Sequence, residues 1–141
     1  MLPRSAHVEG DALRHFVTWL PLDEAVPITE QNIAVVSKTF LSASFNVIVD
    51  YPFYKPDYER LCKILSGSAT FTQAFVLSPP LRVAQRRRGD RELSQREVDR
   101  IAFHYRTNLH NPGFGVRIDN SEQTPSETAE VILRHLNRSN R

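Results

Sequence analysis

Short apolar segments alternate with longer segments in which apolar residues recur every three or four positions. The short segments, at residues 5–9, 45–49, 72–78 and 114–118, have the length and the β-branched character of strands. The longer segments have the spacing of amphipathic helices. Their predicted apolar stripes are Ile33, Val36 and Phe40; Tyr58, Leu61, Cys62 and Leu65; Val98, Ile101, Ala102 and Tyr105; and Ala129, Ile132, Leu133 and Leu136. This order predicts an α/β fold with a mostly parallel sheet that is covered by helices on both faces.

Two helix starts have capping boxes. Ser94 is followed three residues later by Glu97, and Thr124 is followed by Pro125 and then by Glu127. In this motif the hydroxyl accepts from the third helical amide and the glutamate accepts from the cap residue. The sequence therefore predicts helices that begin just after Ser94 and Thr124.

Prolines predict other boundaries. Pro21 and Pro27 are expected to bracket an irregular link, after which Thr29 caps a helix. Pro56 and Pro80 are each expected to open a helix, because the missing N–H of a proline is no loss in the first turn.

Composition places the chain among ordinary globular domains. The 141 residues are 40% hydrophobic and 24% charged, which suits one domain over residues 1–141. No apolar run reaches membrane-spanning length, and the N-terminus has no signal-peptide core. The single cysteine, Cys62, excludes an internal disulfide and indicates a cytoplasmic protein.

Arginines are concentrated around residues 84–93. Although the net charge is only +2, just three of the 18 basic residues are lysines. The guanidinium fork matches phosphate oxygens in two-point geometry, so this stretch predicts an anion-binding lid. The alternative is a solvated helix face that forms salt bridges with nearby acids.

Four stretches resemble P-loop kinases that phosphorylate small molecules, in the chloramphenicol phosphotransferase-like and gluconate kinase-like group. They are His7-Val8-Glu9-Gly10-Asp11-Ala12-Leu13-Arg14 and residues 75–91, 94–109 and 116–136. The resemblance implies a three-layer α/β/α P-loop NTPase-like fold. It also implies ATP and Mg²⁺ as cofactors and a small-molecule hydroxyl as the phosphoryl acceptor.

The chain departs from that family at its most specific motif. None of the five glycines begins a Gly-x-x-x-x-Gly-Lys-Ser/Thr loop. Because the first strand of the family lies in the middle of the sheet and leads into this loop, we expect an N-terminally shortened copy that lacks both. The departure argues against ATP binding by these residues alone.

The resemblance assigns the residues of a catalytic site. Asp11 matches the aspartate that orients the acceptor hydroxyl and accepts its proton, and Arg14 is expected to steer the substrate. Trp19 is expected to line the substrate cleft. The alternatives are that Asp11 only caps a helix, that Arg14 is a surface arginine and that Trp19 is packing.

The other assigned residues concern the nucleotide. Arg86 and Arg91 are expected to stabilise charge on the transferred phosphoryl group, and Arg88 to bind the nucleotide. Asp119 and Ser121 match the loop beside the adenine, although a plain strand-to-helix link explains them equally. Asp50, which ends a strand, is the expected magnesium ligand, but aspartate also simply ends strands.

Three functions follow from these observations. The first is an ATP-dependent kinase present as an incomplete copy. The second is a non-catalytic remnant that binds phosphate or a protein partner. The third, a nucleic-acid-binding domain, is disfavoured because the chain lacks interleaved aromatic residues near the arginines and any recognisable binding motif. The unfilled position in the sheet leaves strand edges through which the chain is expected to be able to self-associate.

Overall fold

Helices and strands alternate along most of the chain, which confirms the mixed α/β class. The structure is a computed structural model that describes residues 2–86 and 91–139. Its first elements are β1 (Ser5–Glu9), α1 (Gly10–Arg14), a short 3₁₀ helix (His15–Val17), α2 (Leu22–Ser42), β2 (Asn46–Asp50) and α3 (Lys55–Leu65). The remaining elements are β3 (Phe75–Leu77), α4 (Leu81–Ala84), α5 (Gln95–Arg106), β4 (Val116–Ile118) and α6 (Pro125–Ser139). None of the helices in these described ranges has the length and apolar character needed to cross a bilayer.

The chain divides into two compact units. The N-terminal unit spans Met1–Thr72 and the C-terminal unit spans Gln73–Arg141. Each unit contains one two-stranded parallel sheet, β1 with β2 in the first and β3 with β4 in the second. The prediction of one domain over residues 1–141 stays a prediction.

The core of the N-terminal unit lies between its sheet and its two long helices. Val8 of β1, Ile33 of α2, and Leu61 and Leu65 of α3 are buried together. The stripe predicted for residues 58–65 is confirmed, since α3 buries two leucines of that stripe. This core fixes the position of β1, and the candidate site lies at the carboxyl end of that strand.

The predicted link between Pro21 and Pro27 is wrong, because α2 already begins at Leu22 and contains Pro27. Thr29 is not a cap: it is buried, and its hydroxyl donates to the carbonyl oxygen of Ala25 at 2.9 Å. A proline inside a helix loses one backbone hydrogen bond. Burial of one continuous stripe of α2 against the core outweighs that loss, and the buried residues of the stripe are Ala25, Thr29, Ile33 and Ser37.

Only one face of the β1–β2 sheet is covered within the N-terminal unit. Ala6 and Val8 are buried on that face, where the parallel register sets them beside Val47 and Val49. The opposite face, Ser5, His7, Glu9, Asn46, Ile48 and Asp50, is exposed. The sequence predicted a sheet covered on both faces. Within the N-terminal unit, only one face of the β1–β2 sheet is covered.

The helix starts of the C-terminal unit follow the capping boxes. The Ser94 hydroxyl accepts from the Glu97 amide at 3.3 Å, and the Glu97 carboxylate accepts from the Ser94 amide at 2.8 Å. The pair Thr124 and Glu127 repeats both bonds at the start of α6. Both predicted boundaries are confirmed.

The strands of the C-terminal unit are shorter than predicted, at three residues each. Ile118 is its buried strand residue and Thr128 its buried α6 residue. The predicted inward position of Ala129 is wrong, because Ala129 is exposed. Thr128 takes that place, and its hydroxyl donates to the Thr124 carbonyl oxygen at 3.1 Å.

Candidate functional site

Asp11 lies at the carboxyl end of β1, directly after a glycine that the packing requires. A side chain at Gly10 would overlap the Tyr51 ring, and its Cβ would stand 2.8 Å from Ile33 Cδ1. Because Glu9 is opposite Asp50 in the register, the carboxyl ends of both strands meet at one edge of the sheet. Open parallel sheets bind ligands at this edge.

The Asp11 carboxylate is exposed and paired rather than used as a cap. Glu9 is the N-cap of α1, so the alternative that Asp11 caps this helix is wrong. The helix begins two residues earlier than that alternative requires. Asp11 Oδ1 instead lies 3.5 Å from Arg14 Nε, and the Asp11 side chain is 58% exposed. The ion pair holds one carboxylate oxygen and leaves the group accessible to a ligand.

Two large aromatic side chains project into solvent just after Arg14. Phe16 is 80% exposed and Trp19 is 78% exposed. The alternative that Trp19 is packing is therefore wrong. Val17 and Leu20 are the half-buried residues of this turn, so they anchor it while the two rings face outward. Exposed Phe and Trp side chains offer flat apolar surfaces to a ligand.

We call Asp11, Arg14, His15, Phe16 and Trp19 the Asp11 surface. The backbone is helical from Gly10 to Val17, so His15 follows Asp11 by four residues and lies on the same side. Sequence reasoning placed Phe16 beside Trp19 in the substrate cleft but assigned no role to His15. The four-residue spacing of Asp11 and His15 was the signal that could have found the imidazole.

Asp50, the predicted magnesium ligand, ends β2 with an exposed side chain. Its side chain is 75% exposed, and its Oδ2 lies 3.9 Å from His7 Nε2. Mg²⁺ needs a near-octahedral set of oxygen ligands. Within residues 2–86 and 91–139 no group of three His, Cys, Asp or Glu side chains is arranged to hold a metal ion. The predicted role of Asp50 as a magnesium ligand stays a prediction.

The predicted arginine lid lies partly outside the described residues, since Arg88 falls among residues 87–90. Arg86 is exposed beyond the end of α4. Arg91 is already engaged: its guanidinium contacts both Glu97 carboxylate oxygens, Oε1 at 2.8 Å and Oε2 at 3.0 Å. The two-point geometry expected for phosphate is thus used on a carboxylate of the same unit.

This pairing shifts the acid–base behaviour of both partners. Hydrogen bonds from Arg91 and from Ser94 lower the pKa of Glu97 to about 2. The hydrogen bond to Glu97 raises the pKa of Arg91. A phosphate group that recruits Arg91 must therefore compete with a carboxylate that is ionised at neutral pH.

Asp119 and Ser121 form a local turn after β4. Asp119 Oδ1 accepts from the Ser121 amide at 3.0 Å, and that bond is the main cause of the lowered pKa of Asp119. The geometry is that of an Asx turn. It serves a strand-to-helix link and leaves the predicted role beside a nucleotide untested.

A groove between α2 and α3 contains a charged cluster that the sequence did not reveal. Arg60 bridges Glu30 at 3.2 Å and also contacts Asp57. Burial raises the pKa of Glu30, and the Asp57 charge raises it further. The cavity measures about 440 Å³, and its apolar lining is Pro27, Leu61 and Ile64. No sequence signal could have found this bridge, because its partners are 30 residues apart.

Among the predicted site residues, the described contacts join Asp11 with Arg14 and Asp119 with Ser121. No model of a known protein family matches the sequence, and no curated protein matches it.

Proposed function

We propose that the chain carries the acceptor-binding part of an ATP-dependent kinase that phosphorylates a hydroxyl of a small molecule. The observation that carries this proposal is the placement of Asp11. Its carboxylate stands exposed at the carboxyl end of a parallel strand, it is not used as a helix cap, and it lies 3.5 Å from Arg14. Ligands of α/β proteins bind at this edge of the sheet.

The Asp11 surface supplies the groups that an acceptor needs. The Asp11 carboxylate would accept a hydrogen bond from the acceptor hydroxyl and take its proton. A general base of this kind contributes about 10²–10⁴-fold to the rate. The Arg14 guanidinium keeps the carboxylate oriented, while Phe16 and Trp19 bind the apolar part of the acceptor.

The sheet pairings support a P-loop-like three-layer fold as part of this proposal. In the resembling family the first strand is central, so four remaining strands would form two separate parallel pairs. The described strands pair in that way, β1 with β2 and β3 with β4. Each pair has outer edges through which another strand, or a second copy of the chain, can bind. An ATP-using kinase of this kind would act in the cytoplasm, where Cys62 stays reduced.

The phosphoryl donor is not assigned to these residues. The sequence contains no glycine-rich phosphate loop, and the described acids form no magnesium site. ATP and Mg²⁺ belong to the proposal only as what the complete enzyme would use.

A second candidate is a non-catalytic module that binds phosphate. The pairing of Arg91 with Glu97 favours it, because a guanidinium committed to a carboxylate is not free to stabilise a transition state. In this case phosphate would displace Glu97 without turnover. The NMR signals of Arg91 would then shift when phosphate binds, whereas those of residues 10–19 would not.

The test is an NMR titration of the ¹⁵N-labelled 141-residue chain with MgATP, inorganic phosphate and a panel of sugars and aromatic alcohols. We expect weak or absent MgATP binding and shifts at residues 10–19 with an acceptor. Asp11→Asn should abolish those shifts. Asp23→Asn, which changes an exposed acid in the first turn of α2, is the matched control and should leave them intact.

Three outcomes would contradict the proposal in different parts. Magnesium-dependent ATP binding in the micromolar range would show that the donor side is present after all. Acceptor shifts that persist in Asp11→Asn would remove Asp11 from the site. Shifts confined to Arg91 and Glu97 with inorganic phosphate would favour the non-catalytic module.

A further inference from the structure

The outer face of α5 carries arginines together with an exposed aromatic ring. Arg96 and Arg100 are one helical turn apart and both are exposed, and Phe103, which follows on the same side, is 42% exposed. The opposite side of the helix contacts the rest of the unit through the half-buried residues Val98, Ile101, Ala102 and Tyr105. The aromatic ring therefore lies in line with the two guanidinium groups and points away from the core.

Neighbouring residues extend the positive charge. Arg106 lies at the end of α5, and Arg82 and Arg86 are exposed on and just beyond α4. The two helices are joined by the Gln85 side-chain amide, which donates to the Val98 carbonyl oxygen at 3.2 Å. Arg82 and Arg86 therefore lie on a segment that packs against α5, and they add to the positive charge near that helix.

Few acids oppose these arginines. Within the described residues, none of Arg82, Arg86, Arg96, Arg100 and Arg106 has a carboxylate within salt-bridge distance. Among the described residues, the acids that neighbour them in sequence are Glu92, Glu97 and Asp99. Glu97 is committed to Arg91, and Asp99 accepts from the Gln95 side chain at 2.9 Å. The surface keeps a net positive charge and offers guanidinium groups free to bind an anion.

We propose that this surface binds single-stranded nucleic acid, with Arg96 and Arg100 on the phosphates and Phe103 stacked on a base. Proteins that bind single strands combine positive charge along the backbone with aromatic side chains on which bases stack. Residues four apart on a helix are separated by about 6 Å along its axis, so one strand passing along α5 can contact both arginines.

The expectation against a nucleic acid partner rested on a lack of aromatic residues among the arginines and on the lack of a recognisable binding motif. The exposure of Phe103 on the arginine face removes the first of these two grounds. Single-stranded nucleic acid is favoured over a lipid surface because one exposed phenylalanine ring next to two guanidinium groups offers a stacking site and little area for insertion. The inference is independent of the kinase proposal, since no residue of the Asp11 surface takes part.

The test measures binding of the full chain to a fluorescein-labelled oligouridylate by fluorescence anisotropy over a range of KCl concentrations. Arg96→Gln combined with Arg100→Gln should weaken binding and reduce the slope of log K against log salt by about 1.4, since each lost contact to a single strand contributes about 0.7. Phe103→Ala should weaken binding by about 5- to 150-fold, the loss expected for one stacked base. It should leave the salt slope unchanged.

Matched variants separate a specific surface from general charge. Arg134→Gln combined with Arg138→Gln removes the same charge at the same spacing from α6, and binding should change little. Phe103→Leu keeps an apolar side chain without a flat ring, so its binding should stay weak. Circular dichroism of each variant verifies that the helices remain folded.

The proposal is overturned if the oligonucleotide does not bind at low salt, or if the α6 pair weakens binding as much as the α5 pair. It is also overturned if Phe103→Ala binds as the parent does, because the surface would then attract any polyanion. Binding to phosphatidylserine vesicles that depends on Arg96 and Arg100, without binding to the oligonucleotide, would identify a membrane as the partner instead.

Discussion

Replacing Ser37 by alanine should stabilise the N-terminal unit. Ser37 is fully buried on the inner stripe of α2, and its hydroxyl has no hydrogen-bond partner among the described residues. A buried polar group without a partner costs about 1–3 kcal/mol. Alanine is also the better helix former by about 0.5 kcal/mol.

The gain is partly offset by the space that the oxygen leaves. Loss of one buried atom removes several contacts of about 0.1–0.2 kcal/mol each. We therefore expect Ser37→Ala to raise the free energy of unfolding by about 1–2 kcal/mol. The gain should be seen in urea unfolding followed by circular dichroism and in slower hydrogen exchange of the α2 amides.

Thr29→Val is the matched comparison on the same stripe. The Thr29 hydroxyl is buried like that of Ser37, but it donates to the Ala25 carbonyl oxygen at 2.9 Å. Its removal should give no gain and a loss of up to about 1.5 kcal/mol. If Ser37→Ala destabilises the unit, or if both variants change stability alike, the Ser37 hydroxyl has a partner and the reasoning fails.

Two further predictions concern carboxylates whose pKa values are shifted. The folded pKa of Glu97 is about 2, against an ordinary value of 4.5. The stability that Glu97 adds to α5 is therefore present above about pH 4.5 and is lost as the pH falls toward about 2. Glu97→Gln should remove this pH dependence of hydrogen exchange at the α5 amides, whereas the control Glu127→Gln should change exchange at the α6 amides alone. The prediction is contradicted if exchange at the α5 amides of the parent chain does not depend on pH. The pKa of Glu30 is raised instead of lowered, so the stabilisation that Glu30 contributes to folding is lost as the pH rises through its folded pKa. Asp57→Asn should lower the pKa of Glu30 in a carbon-detected NMR titration, whereas Glu59→Gln on the same helix should not, and an unchanged value in Asp57→Asn would contradict the assigned cause.

Local signals predicted the parts of the fold that local interactions decide. The strand Ser5–Glu9 and the Ser94 capping box depend on neighbouring residues, and both were predicted correctly. Pro27 misled the prediction because a proline signal is local, whereas the burial of the α2 stripe depends on β1 and α3. Tertiary packing decided this helix against its local preference.

The sequence predicted where the candidate site lies, but it did not predict which residues form ion pairs with one another. Asp11 could be identified from the strand and the glycine before it. That Arg91 binds Glu97 across six residues, or that Arg60 reaches Glu30 in another helix, depends on geometry that only the fold supplies. The exposure of Phe16, Trp19 and Phe103 was likewise invisible, since an aromatic residue in a helical pattern is more often buried.

The two units differ in how much side chain they bury, and this difference helps to separate the proposals. The N-terminal unit buries Ile33, Leu61 and Leu65, whereas the buried residues described in the C-terminal unit, Ala84 and Ile118 among them, form a smaller set with strands of three residues. Little burial implies low local stability, and a ligand at 100 times its Kd adds about 2.7 kcal/mol to whatever it binds in the folded state. A gain of that size is large for a weakly packed unit and should slow exchange throughout it. An acceptor bound at the Asp11 surface protects the N-terminal unit, and an oligonucleotide bound on α5 protects the C-terminal unit. The unit whose amides become protected therefore shows which proposal a ligand supports. This comparison does not require a measurement of turnover.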